Sequence, residues 1–178
     1  MTNLRKVLRV ASLLAASIFL ASAVTPGGKH LFLVAPAEAA TGGQFGLSGP
    51  ASSLPADVQM STDDLSKLLR GPVAQRPMTI HVGFYLLYAQ AHIPGSEYIG
   101  PASQPDALEK LRKRAESLPR NKFIVLYCGC CPWNHCPTLR PAYGALHSMG
   151  FTKLKVLYVP NNFGQDWVNK GFPVEKGQ

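Results

Sequence analysis

The sequence predicts an α/β domain built on a mainly parallel sheet, and three observations carry that expectation. Helical and strand-like segments alternate along the chain from residue 61 onward. Residues 123–127, Phe-Ile-Val-Leu-Tyr, form an unbroken apolar run of the kind buried on both faces of a parallel sheet. With 178 residues and 46% hydrophobic content, there is apolar material for one packed core and no visible internal repeat. The same composition excludes disorder, which requires low hydrophobicity with high net charge.

Residues 1–39 read as an address. Arg5, Lys6 and Arg9 make a positive start, residues 10–24 are apolar, and small-residue sites follow at Ala21-Ser22-Ala23 and Ala37-Glu38-Ala39. A membrane anchor is the competing reading, but the stretch is slightly short for a span and a second apolar patch at 31–35 leads into the later site. Cleavage near Ala39 is therefore expected, with export to the periplasm and no membrane span left in the mature chain. Residues 40–60 are rich in Gly, Ser, Pro and Ala without periodicity and read as a flexible linker, leaving residues 61–178 as the domain.

Within that domain, Ser61 and Asp64 form a capping pair ahead of the stripe Leu65, Leu68, Leu69, and Gly71 stops the helix. Residues 78–82 are a short β-branched strand, residues 91–96 a turn, and Tyr98-Ile99 a small strand. Ser103 and Asp106 repeat the capping pattern, with Pro105 in the first turn and Leu108, Leu111, Ala115 and Leu118 at helical spacing. The apolar strand at 123–127 comes next. Leu139, Ala142, Leu146 and Met149 line another helix, and Thr138 as its N-cap puts Pro141 at the third position, where no donor is required. A strand at 155–159 and a short helix at 164–170 complete the order.

The net charge of +8 falls to +5 once residues 1–39 are removed (14 basic less 9 acidic), and a run at 110–114 lies on a solvated helix face. Nucleic-acid binding is not expected.

All four cysteines, Cys128, Cys130, Cys131 and Cys136, lie within nine residues. Any pair closes only a tiny ring, so they serve chemistry rather than stapling. Cys128 follows a buried strand and precedes a helix N-terminus, where loop N–H groups and the helix dipole favour an anion, whether a thiolate or a persulfide. Cys128 and Cys131 also make a C-x-x-C, a thiol–disulfide exchange layout. Cys128, Cys130, Cys131, His135 and Cys136 are also candidate ligands for Cu or Zn, with copper the better match, because the neighbouring Cys130 and Cys131 diverge. Arg140 is a candidate for steadying a sulfur anion.

The sequence resembles the rhodanese family of sulfurtransferases. Ala-His-Ile-Pro-Gly-Ser at 91–96 is similar to the family's Gly-His-Ile-Pro-Gly-Ala turn, and residues 123–128 to its strand leading into the catalytic cysteine. Gly150-Phe151, Val156-Leu157, Trp167 and Gly-Phe-Pro-Val at 171–174 resemble its C-terminal signature. The resemblance implies a single domain with a five-stranded parallel sheet flanked by helices, and a monomer. It implies Cys128 as the nucleophile that takes sulfur from a donor such as thiosulfate and passes it to a thiol acceptor, with no cofactor. Cys131 and Cys136, along with Cys130, would be resolving thiols. The family's Asp-x-Arg appears here as His81-Val82-Gly83, and the cysteine loop at 129–137 is longer than the family's cradle.

Overall fold

The computed structural model describes residues 49–177. The address segment expected at residues 1–39 lies outside the described residues. Five strands, β1 (Gln59–Met60), β2 (Met78–His81), β3 (Glu97–Tyr98), β4 (Ile124–Tyr127) and β5 (Leu154–Leu157), form one sheet in the order β1-β5-β4-β2-β3. Every pairing is parallel, as an α/β alternation requires, and β4 sits at the centre between β2 and β5.

The helices are α1 (Thr62–Arg70), α2 (Tyr85–Gln90), α3 (Pro105–Glu116) and α4 (Leu139–Ser148). Side chains of β4 alternate between two apolar layers, because successive residues of a strand point to opposite faces. Val125 and Tyr127 join Leu65 of α1, Leu157 and Trp167 on one face. Ile124 and Leu126 join Leu111 of α3 with Leu139, Ala142 and Leu146 of α4 on the other. Cys128 continues the second series and belongs to the α3–α4 layer.

Ser61 caps α1 as expected, its hydroxyl accepting from the Asp64 N–H at 3.1 Å and donating to the Asp64 carboxylate at 2.7 Å. At α3 the expected Ser103 cap is corrected: the N-cap is Gln104, with no side-chain hydrogen bond. Pro105 at the first helical position forces the residue before it into extended geometry, so the cap is the neighbour of the proline. The small strand is β3, one residue earlier than expected. The expected C-terminal helix is one π-helical turn, Gly164–Val168. It is pinned by the Asp166 carboxylate, which accepts from the backbone N–H of Asn161 and Asn162.

The segment read as a flexible linker is described from residue 49 on, and there it is packed. Ala51, Leu54 and Val58 are buried in the α3–α4 layer, and the Ala51 N–H donates to the Cys136 carbonyl at 2.9 Å. The small and proline residues that suggested flexibility instead let the backbone lie close against α4 and the cysteine loop.

The turn at 91–96 is tied to the central strand by Tyr127. Its hydroxyl shares a 2.7 Å hydrogen bond with Ser96 and accepts from the Ile93 N–H at 3.2 Å. His92 is buried there, its Nδ1 on the Tyr88 carbonyl at 2.8 Å.

Candidate active site

The site is the loop between the carboxyl end of β4 and the start of α4. Gly129 opens it at φ +90°, and a Cβ there would lie 2.7 Å from that of Phe163, so only glycine fits. A short turn, Trp133–His135, follows; the Trp133 N–H donates to the Pro160 carbonyl at 3.1 Å and its ring packs edge-on to Tyr158 at 5.1 Å. Trp133 is buried and serves as the loop's apolar anchor.

This path folds the loop back on itself and gathers three sulfurs. Those of Cys128, Cys130 and Cys136 all lie within 4.8 Å of one another, and Cys128 and Cys130 are 3.1 Å apart. The Cys131 sulfur sits 3.3 Å from that of Cys130 but outside the trio. All four cysteines are free thiols; Cys128 and Cys136 are buried, at 2% and 1% exposure, while Cys130 and Cys131 are half-buried. A cleft of about 760 Å³ reaches His135 and Pro137, and no cysteine lines it.

The neighbouring sulfurs shift one another in opposite directions. Cys136 is shifted toward the thiolate because the Cys128 and Cys130 thiols donate to its sulfur, which outweighs its burial; the Thr138 hydroxyl, 3.5 Å away, and the Thr138 backbone add to this. Thr138 does begin α4, but its hydroxyl faces Cys136 instead of capping the helix. At Cys128 the Cys130 thiol favours the anion, yet the hydrogen bond to Cys136 and burial prevail and push this thiol up. Cys130 is also pushed up, by its hydrogen bonds to Cys128 and Cys136 and by burial, and Cys131 chiefly by burial. Burial and the Cys136 neighbour thus oppose the anion expected at Cys128, while Cys136 is shifted the other way.

Beneath the cluster lies His81, the last residue of β2. Burial holds its imidazole down at about 4, against a hydrogen bond with the Cys128 backbone that favours the charged form. Its Nδ1 accepts from the Gly83 N–H at 3.3 Å, and Tyr88, Tyr98 and Tyr127 surround the ring. The ring is neutral at physiological pH and supports the Cys128 backbone.

Other sequence candidates lie elsewhere. His135 is exposed, its Nδ1 on the Asn134 side chain at 2.8 Å, and it does not join the sulfur trio. The Arg140 guanidinium donates to the Ser53 carbonyl at 3.2 Å and to its hydroxyl at 2.6 Å, tying α4 to the N-terminal segment. Gly83, Thr138 and Ala51 were not singled out for the site. Gly83 carried a signal, since it stands where the related pattern has an arginine; the other two carried none.

The structure is thus a parallel α/β domain with a thiol cluster at the carboxyl end of its central strand. The chain belongs to the Rhodanese-like domain family, which matches residues 61–158. Among solved structures, the Alr3790 protein from Anabaena sp. is 23% identical with a TM-score of 0.50, covering 66% of this chain and 82% of that one. The BH2092 protein from Bacillus halodurans is 21% identical with a TM-score of 0.51, covering 66% and 76%. Thiosulfate sulfurtransferase from Pseudomonas aeruginosa is 19% identical with a TM-score of 0.45, covering 67% of this chain and 20% of its own. The first two likenesses establish the shared fold. The curated proteins contain no match to the chain.

Proposed function

We propose that this protein is a periplasmic, monomeric sulfurtransferase or persulfide carrier in which Cys128 accepts sulfane sulfur. The observation that carries this is the place of the Cys128 sulfur, at the carboxyl end of β4, 3.1 Å from that of Cys130 and within 4.8 Å of that of Cys136. A buried thiol is a poor nucleophile until it ionises, and the Cys130 thiol, 3.1 Å away, favours that anion on Cys128. Cys128 loses its proton to solvent and attacks the outer sulfur of a donor such as thiosulfate. The S–S bond of the donor breaks, sulfite leaves with the bonding electron pair, and Cys128 carries a persulfide anion. A thiol or other thiophilic acceptor then removes the outer sulfur and restores the Cys128 thiol.

Cys130, 3.1 Å from Cys128, and Cys131, 3.3 Å from Cys130, are half-buried and suit a resolving role, as does Cys136. Arg140 is bonded to Ser53 and steadies the loop's surroundings in this scheme rather than the sulfur anion. The reaction requires no cofactor. The test is cyanolysis of thiosulfate by the wild type and four single serine variants. Cys128→Ser should abolish thiocyanate formation, whereas Cys130→Ser and Cys131→Ser should retain the first half-reaction. Activity surviving in Cys128→Ser would overturn the assignment.

A further inference from the structure

We propose that the sulfurs of Cys128, Cys130 and Cys136 form a three-coordinate site for Cu(I), with Cys131 and His135 excluded. The assignment follows from the shape of the trio. Three thiolates held about 2.3 Å from a central ion, a usual metal–thiolate distance, stand roughly 4 Å from one another. The sulfurs here already lie within 4.8 Å of one another, close to that size, and the 3.1 Å Cys128–Cys130 edge must open.

The donor set selects the metal. It is all sulfur, which favours soft ions and disfavours magnesium, calcium and manganese. Zinc takes four ligands in a tetrahedron, whereas only three sulfurs here are mutually within 4.8 Å. Cys131, the obvious partner of Cys128 in the sequence, reaches Cys130 at 3.3 Å and interacts with Cys136 but does not come within reach of the whole trio, while Cys136 is brought in by the loop's return. His135 is turned to Asn134. Burial of Cys128 and Cys136 also leaves little room for water as a fourth ligand. Binding displaces the remaining thiol protons to solvent and changes no oxidation state.

The site uses the Cys128 sulfur, so Cu(I) and a persulfide there are mutually exclusive, yet the proposal rests on the sulfur geometry alone and not on sulfur transfer. The test is an anaerobic titration of the reduced protein with Cu(I) against a chromophoric Cu(I) chelator. A single tightly held Cu(I) per chain is expected. Cys128→Ser, Cys130→Ser and Cys136→Ser should each weaken binding by at least about tenfold, as loss of a direct ligand exceeds the loss of an outer-shell partner. Cys131→Ser and His135→Ala should leave it unchanged. X-ray absorption of the wild-type complex should show three sulfur neighbours and no nitrogen, a result that does not depend on the variants folding. Loss of binding in Cys131→Ser equal to that in Cys136→Ser, nitrogen in the copper shell, or Zn²⁺ held as tightly as Cu(I) would each overturn it. Failure here with cyanolysis intact would leave the sulfurtransferase proposal standing.

Discussion

A Cβ on Gly83 would lie 2.7 Å from the sulfur of Cys128 and 3.0 Å from the His81 ring. The side chain missing at position 83 is what gives the Cys128 sulfur its place. This links two departures from the rhodanese pattern that look unrelated in sequence. The arginine of the family motif is absent, and the loop carries additional cysteines; the space left by the first holds the sulfur that anchors the second.

Gly83→Ala should therefore displace the Cys128 sulfur or the backbone around it. Overpacking at such a site costs about 1–3 kcal/mol. A lower unfolding midpoint together with faster alkylation of Cys128 is expected, read by denaturant titration and peptide-mapped labelling. A variant as stable as wild type, with unchanged labelling, would show that the space is not needed.

His81 makes stability depend on pH with a definite sign. Its ordinary value of 6.5 falls to about 4 in the folded state, chiefly through burial, so the unfolded chain binds the proton more readily between those values. The contribution is fully present above pH 6.5 and is lost as pH drops toward 4. At 1.36 kcal/mol per unit, the loss amounts to about 3 kcal/mol. Urea unfolding at pH 7 and pH 4 should show this loss in wild type, and a smaller one in His81→Gln by about that amount.

The Cys128–Cys136 pair predicts a pH profile for sulfur acceptance. Because burial and the Cys136 neighbour push the Cys128 thiol up, wild-type transfer should rise with pH up to 8 and beyond. Cys136→Ser removes that neighbour, so Cys128 ionises more readily, closer to the ordinary thiol value of about 8.5. Single-turnover rates with thiosulfate should then climb at lower pH in the variant than in wild type. An unchanged profile in Cys136→Ser would show that Cys136 does not hold the Cys128 proton in place.

Much of the architecture was legible because its signals are local. The unbroken apolar run at 123–127 marks the central strand, the Ser61–Asp64 pair marks the start of α1, and Pro141 fixes the start of α4 at Thr138. What escaped depends on contacts distant in sequence. α2 has six residues, too few to display a period, and its apolar residues Tyr85, Leu86 and Leu87 are exposed. β1 has only two residues. The packing of Ala51 against Cys136 joins segments 85 positions apart, and no property of a Gly-Ser-Pro stretch announces its partner. Within the site, Cys128 was legible from its strand. The sulfur trio was not, because it depends on how the loop returns Cys136 to the helix start.

The N-terminal segment should accordingly behave as part of the domain. A chain beginning at Gln59 loses the buried Ala51, Leu54 and Val58 and the hydrogen bond to the Cys136 carbonyl. Relative to a chain beginning at Thr41, the loss should be about 3 kcal/mol or more from apolar burial alone. Thermal unfolding of the two compares them directly, and equal midpoints would return residues 51–58 to the status of a linker.

The most direct test of the central claim is the mass of the Cys128 peptide after the reduced protein has been incubated with thiosulfate and freed of excess donor. The account predicts a gain of about 32 Da, one sulfur atom, located on Cys128, removed by cyanide and absent from Cys128→Ser. A wild-type protein that gains no sulfur, or a Cys128→Ser protein that gains it on another cysteine, would contradict it.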